Sequence, residues 1–429
     1  MPFKFLFAAL VSLALICLPL SAAAQWTNHY PLAEGFNHQI YLEGYELPVM
    51  NSGPMDPAPS PAGDVIAFSA KGWIWLMDLE SGQARRLTNS GDMDSRPEWS
   101  PSGSDLVFIR DSGSQLSIVS LNLESGKERI LVDYEAINLD PVFSPDESFV
   151  YYASSESGPI ELWRVELDSL ERVQVTPADG EKRRPIKRRP LLLGDNQRIL
   201  FLNKVSTTDS IEIYDTETHT SELLVTDRLA AQADMAVSPN GKYLAYTWPF
   251  DGGYELRLMA LATPDTSVLL TQSQGQPLAP AFSHDGNWVY FSEFNDAERS
   301  ELKRISIFGG AVETAAVKVW DWGQDTGRLL ISSNVNGKPA AVRMSALDSA
   351  GHPVIPESGA VRFEGQNGRV FYYSEGEIEL IAPAGELTMS AVHCFETAEL
   401  TEKAIVKVGE TTRVELELEQ IWDASANGW

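Results

Sequence analysis

Apolar residues fall in short β-rich runs separated by clusters of Gly, Pro, Asn, Asp and Ser. Examples are Val65-Ile66-Ala67-Phe68, Leu106-Val107-Phe108-Ile109, Phe149-Val150-Tyr151-Tyr152, Tyr243-Leu244-Ala245-Tyr246 and Trp288-Val289-Tyr290-Phe291. Each follows a turn of the form apolar-Ser-Pro-x-Gly: Pro59-Ser60-Pro61-Ala62-Gly63, Trp99-Ser100-Pro101-Ser102-Gly103, Phe143-Ser144-Pro145-Asp146-Glu147, Val237-Ser238-Pro239-Asn240-Gly241 and Phe282-Ser283-His284-Asp285-Gly286. A tight turn feeding a strand is the plain meaning of that pattern. Two further copies keep the frame without Ser-Pro, at Leu193-Gly194-Asp195 and Gly323-Gln324-Asp325. Taking Ser60, Ser100, Ser144, Leu193, Ser238, Ser283 and Gly323 as equivalent, the repeat is 40 to 49 residues long. That period, with several strands in each unit, predicts a β-propeller. No stretch of ten or more residues holds a 3.6-residue apolar period, so helix should be scarce.

The rest of each unit agrees. Trp73 to Leu79, a Glu80-Ser81-Gly82 turn and Arg85-Arg86-Leu87-Thr88 read as strand, hairpin and strand, and residues 117–131 repeat the arrangement around Glu124-Ser125-Gly126. The closing threonine recurs at Thr176, Thr226, Thr271 and Thr314. Beyond the break His352-Pro353-Val354-Ile355-Pro356, six short runs follow at tight spacing, starting at Ala360, Arg369, Ile378, Leu387, Lys403 and Arg413. They predict a small β-sandwich over 355–420, followed by a tail at 421–429.

The Ser-Pro-x-Gly turn, the aromatic strand, Trp75-Leu76-Met77-Asp78-Leu79 and the Ser81-Gly82…Arg86-Leu87-Thr88 close together resemble the WD40-like repeat of TolB-type periplasmic propellers. The resemblance covers about residues 53–350 and implies an all-β fold. Seven frames give a seven-bladed propeller, with six blades, as in TolB itself, as the alternative. The lead-in at 25–52, around His38-Gln39-Ile40-Tyr41-Leu42, is a candidate ring-closing strand. The turns Pro383-Ala384-Gly385 and Val408-Gly409-Glu410-Thr411-Thr412 resemble carboxypeptidase-regulatory-like modules. Propeller, sandwich and a terminal Gly428-Trp429 in that order resemble the N-terminal part of exported PHP or amidohydrolase-type metal-dependent hydrolases. In those relatives a His-x-His metal motif follows within a few residues.

Met1 to Lys4, the apolar stretch from Phe5 to Leu20 and the small residues Ser21-Ala22-Ala23-Ala24 read as a secretory signal over 1–24. An apolar stretch of that length falls short of a bilayer span, so no membrane span is expected after cleavage. The protein is then exported, periplasmic by resemblance and extracellular as the alternative. The chain carries 33 Lys+Arg against 60 Asp+Glu, a net charge of −27. Such a surface argues against nucleic acid and against anionic membranes.

For catalysis the sequence offers no constellation. The histidines His29, His38, His219, His284, His352 and His393 never lie within five residues of one another, and a metal hydrolase needs such ligands to converge. There is no Gly-x-Ser-x-Gly elbow, no Gly-rich phosphate loop and no paired-cysteine motif. His284 stands in a turn slot, and Cys394, in an apparent strand, reads as a small core residue. No catalytic residue, metal ligand or cofactor is assigned.

Two features could bind something. Lys182, Arg183, Arg184, Lys187, Arg188 and Arg189 place six cations in eight residues. They read either as a solvated interblade loop neutralised by acidic neighbours or as an anion-accepting mouth. The second feature is the position just before each innermost strand, occupied in successive repeats by Asp56, Arg96, Asp140, Arg189, Asp234, Ala279 and Val319. These side chains should face the central channel. They form either interblade ion pairs or a ligand site. The functional expectation is a non-enzymatic scaffold for a protein partner in the cell envelope or a small anionic ligand. The alternative is the accessory portion of a metal-dependent hydrolase whose catalytic domain lies outside this chain.

Overall fold

The recurring serine turns the chain from the first strand of a sheet into the second. In the computed structural model, which describes residues 50–177, 186–205, 208–227, 234–250, 253–273, 275–364, 369–424, 426 and 428, its hydroxyl accepts from the amide that opens the following strand. Ser100 Oγ takes Asp105 N–H at 3.1 Å, Ser144 takes Phe149 at 3.0 Å, Ser238 takes Tyr243 at 2.9 Å and Ser283 takes Trp288 at 3.0 Å. A buried backbone donor would otherwise be left unpaired at that corner. The glycine three residues on closes the turn, with Gly63 N–H on the Ser60 carbonyl at 3.0 Å and φ at +80°. In the third copy Glu147 takes that left-handed position instead, at φ +55°.

Among the described residues these turns set off six consecutive antiparallel sheets of four strands, spanning 55–86, 93–132, 138–174, 186–227, 235–273 and 278–314, here blades 1 to 6. No α-helix occurs in them. The innermost strands are Met55–Pro59, Met93–Trp99, Asn138–Phe143, Ile186–Leu192, Met235–Val237 and Leu278–Phe282. Each packs against the next, and the sixth packs against the first, so the ring closes.

Each interface between blades has its own apolar core, because strand residues alternate between the two faces of a sheet. Blade 1 gives Ala67, Ile74 and Leu76 to Leu106, Phe108 and Val119 of blade 2. Blade 5 gives Leu256 and Leu258 to Val289 and Phe291 of blade 6. At the closing interface Ile66, Phe68, Trp75 and Met77 meet Tyr290 and Leu302. The strand Val319–Asp321 completes the closure by running parallel to Gln83–Arg86, with Trp320 opposite Ala84. Trp320 stands edge-on to Trp75 at 4.7 Å and to Phe68 at 5.9 Å between ring centroids.

Among the described residues the seventh frame adds no further four-stranded sheet to the ring. Val319 lies on the outer edge of blade 1, 55% exposed, rather than in the channel. The strand Thr326–Val335, placed by its spacing in a seventh copy, pairs antiparallel with Glu377–Pro383 and parallel with Thr411–Leu418. Its Leu329 and Ile331 are buried with Leu380, Leu416 and Leu418, an apolar face that an isolated blade edge could not cover. The sandwich therefore starts at Thr326 instead of residue 355, and the propeller ends with Asp321 instead of residue 350. All six expected sandwich runs are strands, and Val342–Leu347 joins the second sheet beside Arg369–Ser374 and Gly385–Val392. The signal segment 1–24 and the lead-in at His38 to Leu42 lie outside the described residues.

The sandwich is anchored on blade 1. His352, fully buried, stacks on Trp73 at 3.7 Å with an interplanar angle of 11°. Its two ring nitrogens face the carbonyls of Lys71 at 2.8 Å and Asp92 at 3.2 Å. Burial holds the imidazole below its ordinary pKa. Lys71 pairs with Glu357, and Met50 and Met93 enter the sandwich core.

Replacing Trp320 with Ala removes the ring that fills the closing interface and should lower stability by roughly 2–4 kcal/mol. Urea unfolding followed by tryptophan fluorescence measures it. The exposed Val319→Thr change in the same strand should cost less than about 0.5 kcal/mol.

Candidate functional site

Five of the six innermost strands carry a residue followed by proline: Asp56-Pro57, Arg96-Pro97, Asp140-Pro141, Arg189-Pro190 and Ala279-Pro280. Proline brings no N–H to the ladder, so the strand skips at that point. Pairing shifts between Met55 and Ala58, Ser95 and Glu98, Leu139 and Val142, Arg188 and Leu191, and Leu278 and Ala281. At each bulge the residue before proline is left-handed, with φ between 48° and 54°. The sequence at blade 5 is Asp234-Met235, and its inner strand pairs without a shift. The expectation put these residues just before the innermost strands, whereas in five blades they sit within them, at the bulge.

All six positions line one cavity of about 200 Å³ at the mouth of the channel, together with Glu98. Arg96 Nη1 donates to Asp140 Oδ1 at 2.6 Å, and Arg189 Nη1 lies 3.4 Å from the same oxygen. Arg189 reaches on to Asp234, with Nη2 donating to Oδ2 at 3.2 Å. The carboxylates also fix the neighbouring bulges. Asp140 Oδ2 accepts from the Arg189 amide at 3.1 Å, and Asp234 Oδ2 accepts from the Ala279 amide at 2.9 Å. A chain Arg96–Asp140–Arg189–Asp234 thus links blades 2 to 5 and reaches the backbone of blade 6. Interblade pairing accounts for both arginines and for two of the three aspartates.

Asp56 stands apart from that chain. Its Oδ2 accepts from Ser69 Oγ at 2.8 Å, and Arg96 and Arg189 act on it only through space. Burial works against the Asp140 carboxylate, but Arg189 and Arg96 outweigh it and hold its pKa below the usual range. Glu98 behaves in the opposite way. Half-buried in the mouth, it is pushed up to about 7 by desolvation, against weaker opposition from the Trp99 backbone and Arg189. The mouth therefore holds four carboxyl groups and two guanidiniums.

The basic segment divides. Lys182, Arg183 and Arg184 lie outside the described residues. Lys187 and Arg188, read from sequence as part of a loop, belong to the innermost strand of blade 4, where both are 5% exposed. Lys187 Nζ donates to the buried Glu161 Oε2 at 2.8 Å, and that oxygen also accepts from Thr176 Oγ1 at 2.6 Å. Lys187 thus ties blade 4 to blade 3, and neither of these two cations faces solvent as an anion receptor. His284 occupies its turn as expected, while Cys394 is exposed in a turn at φ +48° rather than buried in a strand.

Residues 45–188 match the family described as TolB beta propeller domain. An uncharacterized protein of Agrobacterium fabrum is 31% identical over 129 residues, 28% of this chain and 42% of that protein. The Tol-Pal system protein TolB of Gluconobacter oxydans is 26% identical over 105 residues, 24% of this chain and 23% of that one. The chain thus spans less than half the length of these curated relatives. The tricorn protease structure superposes on 84% of this chain and 36% of its own, with a TM-score of 0.51 at 14% identity, a likeness of fold. The propeller is TolB-like.

Glu98 generates a pH dependence. Its folded pKa of about 7 lies above the ordinary 4.5, so its contribution is fully present below about pH 4.5 and is lost as pH rises through 7. Glu98→Gln should therefore gain stability relative to the native chain between pH 5 and 8, by about 1–2 kcal/mol after allowing for partial solvent access. Urea midpoints of both proteins across that range check it.

Proposed function

We propose that the protein is an exported, TolB-like scaffold without catalytic activity of its own, whose channel mouth binds a cationic group of a partner in the cell envelope. One observation carries this reading. The two mouth arginines are engaged by Asp140 and Asp234, while Asp56 and Glu98 remain outside that chain and supply the surplus negative charge. A lysine or arginine side chain, or a free amino terminus, would complete the balance. Of the two expected occupants, a protein partner in the cell envelope or a small anionic ligand, this proposal keeps the first and sets the second aside. The bulged, proline-fixed backbone supports it, since side chains held before binding lose little entropy on contact.

Export rests on the signal-like segment 1–24, and among the described residues no helix is long and apolar enough to cross a membrane. A second reading, that the chain is the accessory part of a metal-dependent hydrolase, rests on the order of propeller, sandwich and Gly428-Trp429 along the sequence. Sequencing the locus beyond the codon for Trp429 separates the two, since an adjoining His-x-His segment would support the hydrolase reading.

Titration calorimetry with a trilysine peptide and a triglutamate peptide tests the binding claim. Trilysine should bind more tightly at pH 8 than at pH 6, as Glu98 ionises, and Asp56→Asn should weaken it by roughly tenfold. Preference for triglutamate would overturn the reading. Cell fractionation with N-terminal sequencing should find a mature chain starting near Gln25.

A further inference from the structure

A second cavity, of about 690 Å³, lies between the outer strands of blades 1 and 2, away from the channel. It is lined by Arg85, Arg86, Asn89, Arg110, Trp322 and the carboxylate of Glu128, among others. Its two inner arginines differ in one respect. Arg110 is saturated: it donates to Asp94 Oδ1 at 2.7 Å and Oδ2 at 3.0 Å, and to Glu128 Oε2 at 2.7 Å and Oε1 at 3.1 Å. The Arg86 guanidinium lies over the Trp73 ring, 4.7 Å from its centroid, and makes no hydrogen bond or ion pair to a described residue. Asp348 acts on it only through space, and that carboxylate already accepts from the amides of Ala350 and His352, both at 2.9 Å.

This is an unusual state for a cation in a chain with 60 acidic residues and a net charge of −27. Desolvation works against the charged form, as the lowered pKa of Arg86 indicates, and internal carboxylates are abundant. Trp73 holds the guanidinium plane in place, which preserves its fork of donors for a ligand that matches it two-to-two. Trp322, half-buried at the same wall, meets Trp73 edge-on at 5.8 Å and brings an aromatic surface to the cavity. Asn89 and Arg85 are exposed on its rim and supply further donors.

We propose that this groove is a binding site for a carboxylate-bearing sugar, with Arg86 on the carboxylate and Trp322 against the apolar face of the ring. A planar, bidentate anion fits the guanidinium fork. A hydroxylated ring uses the rim donors and the indole together, which a bare inorganic anion would not. The cavity volume accommodates a short oligosaccharide. The strong negative charge of the rest of the chain disfavours a large polyanion.

The site is independent of the channel mouth, and calorimetry on the full chain tests it with three probes: trimannuronate, neutral mannotriose and inorganic phosphate. Trimannuronate should bind, with mannotriose at least roughly tenfold weaker, and its affinity should fall as salt rises. Arg86→Gln should weaken trimannuronate at least roughly tenfold. Trp322→Ala should weaken trimannuronate and leave phosphate unchanged. Because Arg86 packs on Trp73, thermal unfolding of Arg86→Gln is measured alongside. The rim variant Asn89→Ala should lower affinity a few fold with no change in Tm, which serves if Arg86→Gln misfolds. Glu98→Gln, in the channel, should leave trimannuronate binding untouched. Absence of trimannuronate binding, or binding indifferent to Arg86→Gln in a folded variant, overturns the site. Phosphate binding as tightly as trimannuronate, with Trp322→Ala affecting neither, overturns the sugar assignment.

Discussion

A propeller is a sheet stack bent into a ring, and every other feature of this molecule depends on closing it. Among the described residues the closure joins the two ends of the ring twice. Blade 6 packs its Tyr290 and Leu302 against Phe68 and Trp75 of blade 1, and the strand Val319–Asp321 then extends the outer edge of blade 1 in parallel. That short strand has few ladder bonds. Its hold comes from Trp320, which fills the seam with aromatic area that a strand of three residues could not otherwise supply. The same turn of chain carries Trp322 to the groove beside Arg86 and starts the path into the sandwich at Thr326. Closure, groove and second domain thus hang on one stretch of about ten residues.

Closure also decides the chemistry of the channel. Six innermost strands converge on one axis, and in five of them proline interrupts the ladder at the same height. The interruption turns the preceding residue out of the sheet. Charges of one sign at that height would repel strongly in a site shielded from water. The observed alternation of Asp and Arg removes that repulsion across blades 2 to 5. Blade 6 contributes Ala279, and among the described residues the hydrogen-bond partner of Asp56 in blade 1 is a serine, so the chain of charge pairs there does not run around the whole ring. The negative surplus left there is the basis of the functional proposal.

Much of this was legible in the sequence, and the limits have physical causes. The Ser-Pro-x-Gly frame located the blades because the serine hydroxyl and the left-handed glycine are local requirements of the turn. The channel positions Asp56, Arg96, Asp140, Arg189 and Asp234 were found because they recur at a fixed offset from that turn. The choice between seven blades and six turned on Leu329-Leu330-Ile331, since an alternating strand looks the same whether it faces a blade or a sandwich, and only its partners decide. Lys187 and Arg188 were misplaced because a run of cations has no local signature of burial, and Glu161, the partner of Lys187, is distant in sequence. Cys394 was placed in the core from apolar neighbours that in fact end a strand. Glu98 was missed altogether, although the proline at 97 marked the bulge that turns it toward the mouth. Arg86 could not be singled out, because being unpaired is a property of the folded neighbourhood.

The central claim is that the mouth charges form one coupled chain across blades, held by the Asp140 carboxylate between two arginines. A double-mutant cycle on Asp140→Asn and Arg189→Gln, read by urea unfolding at pH 7 and low salt, tests it most directly. A coupling energy of about 1.5 kcal/mol or more, little reduced by added salt, is the result this account predicts for a buried charged pair. Additive effects of the two substitutions, with coupling below about 0.3 kcal/mol, would contradict it.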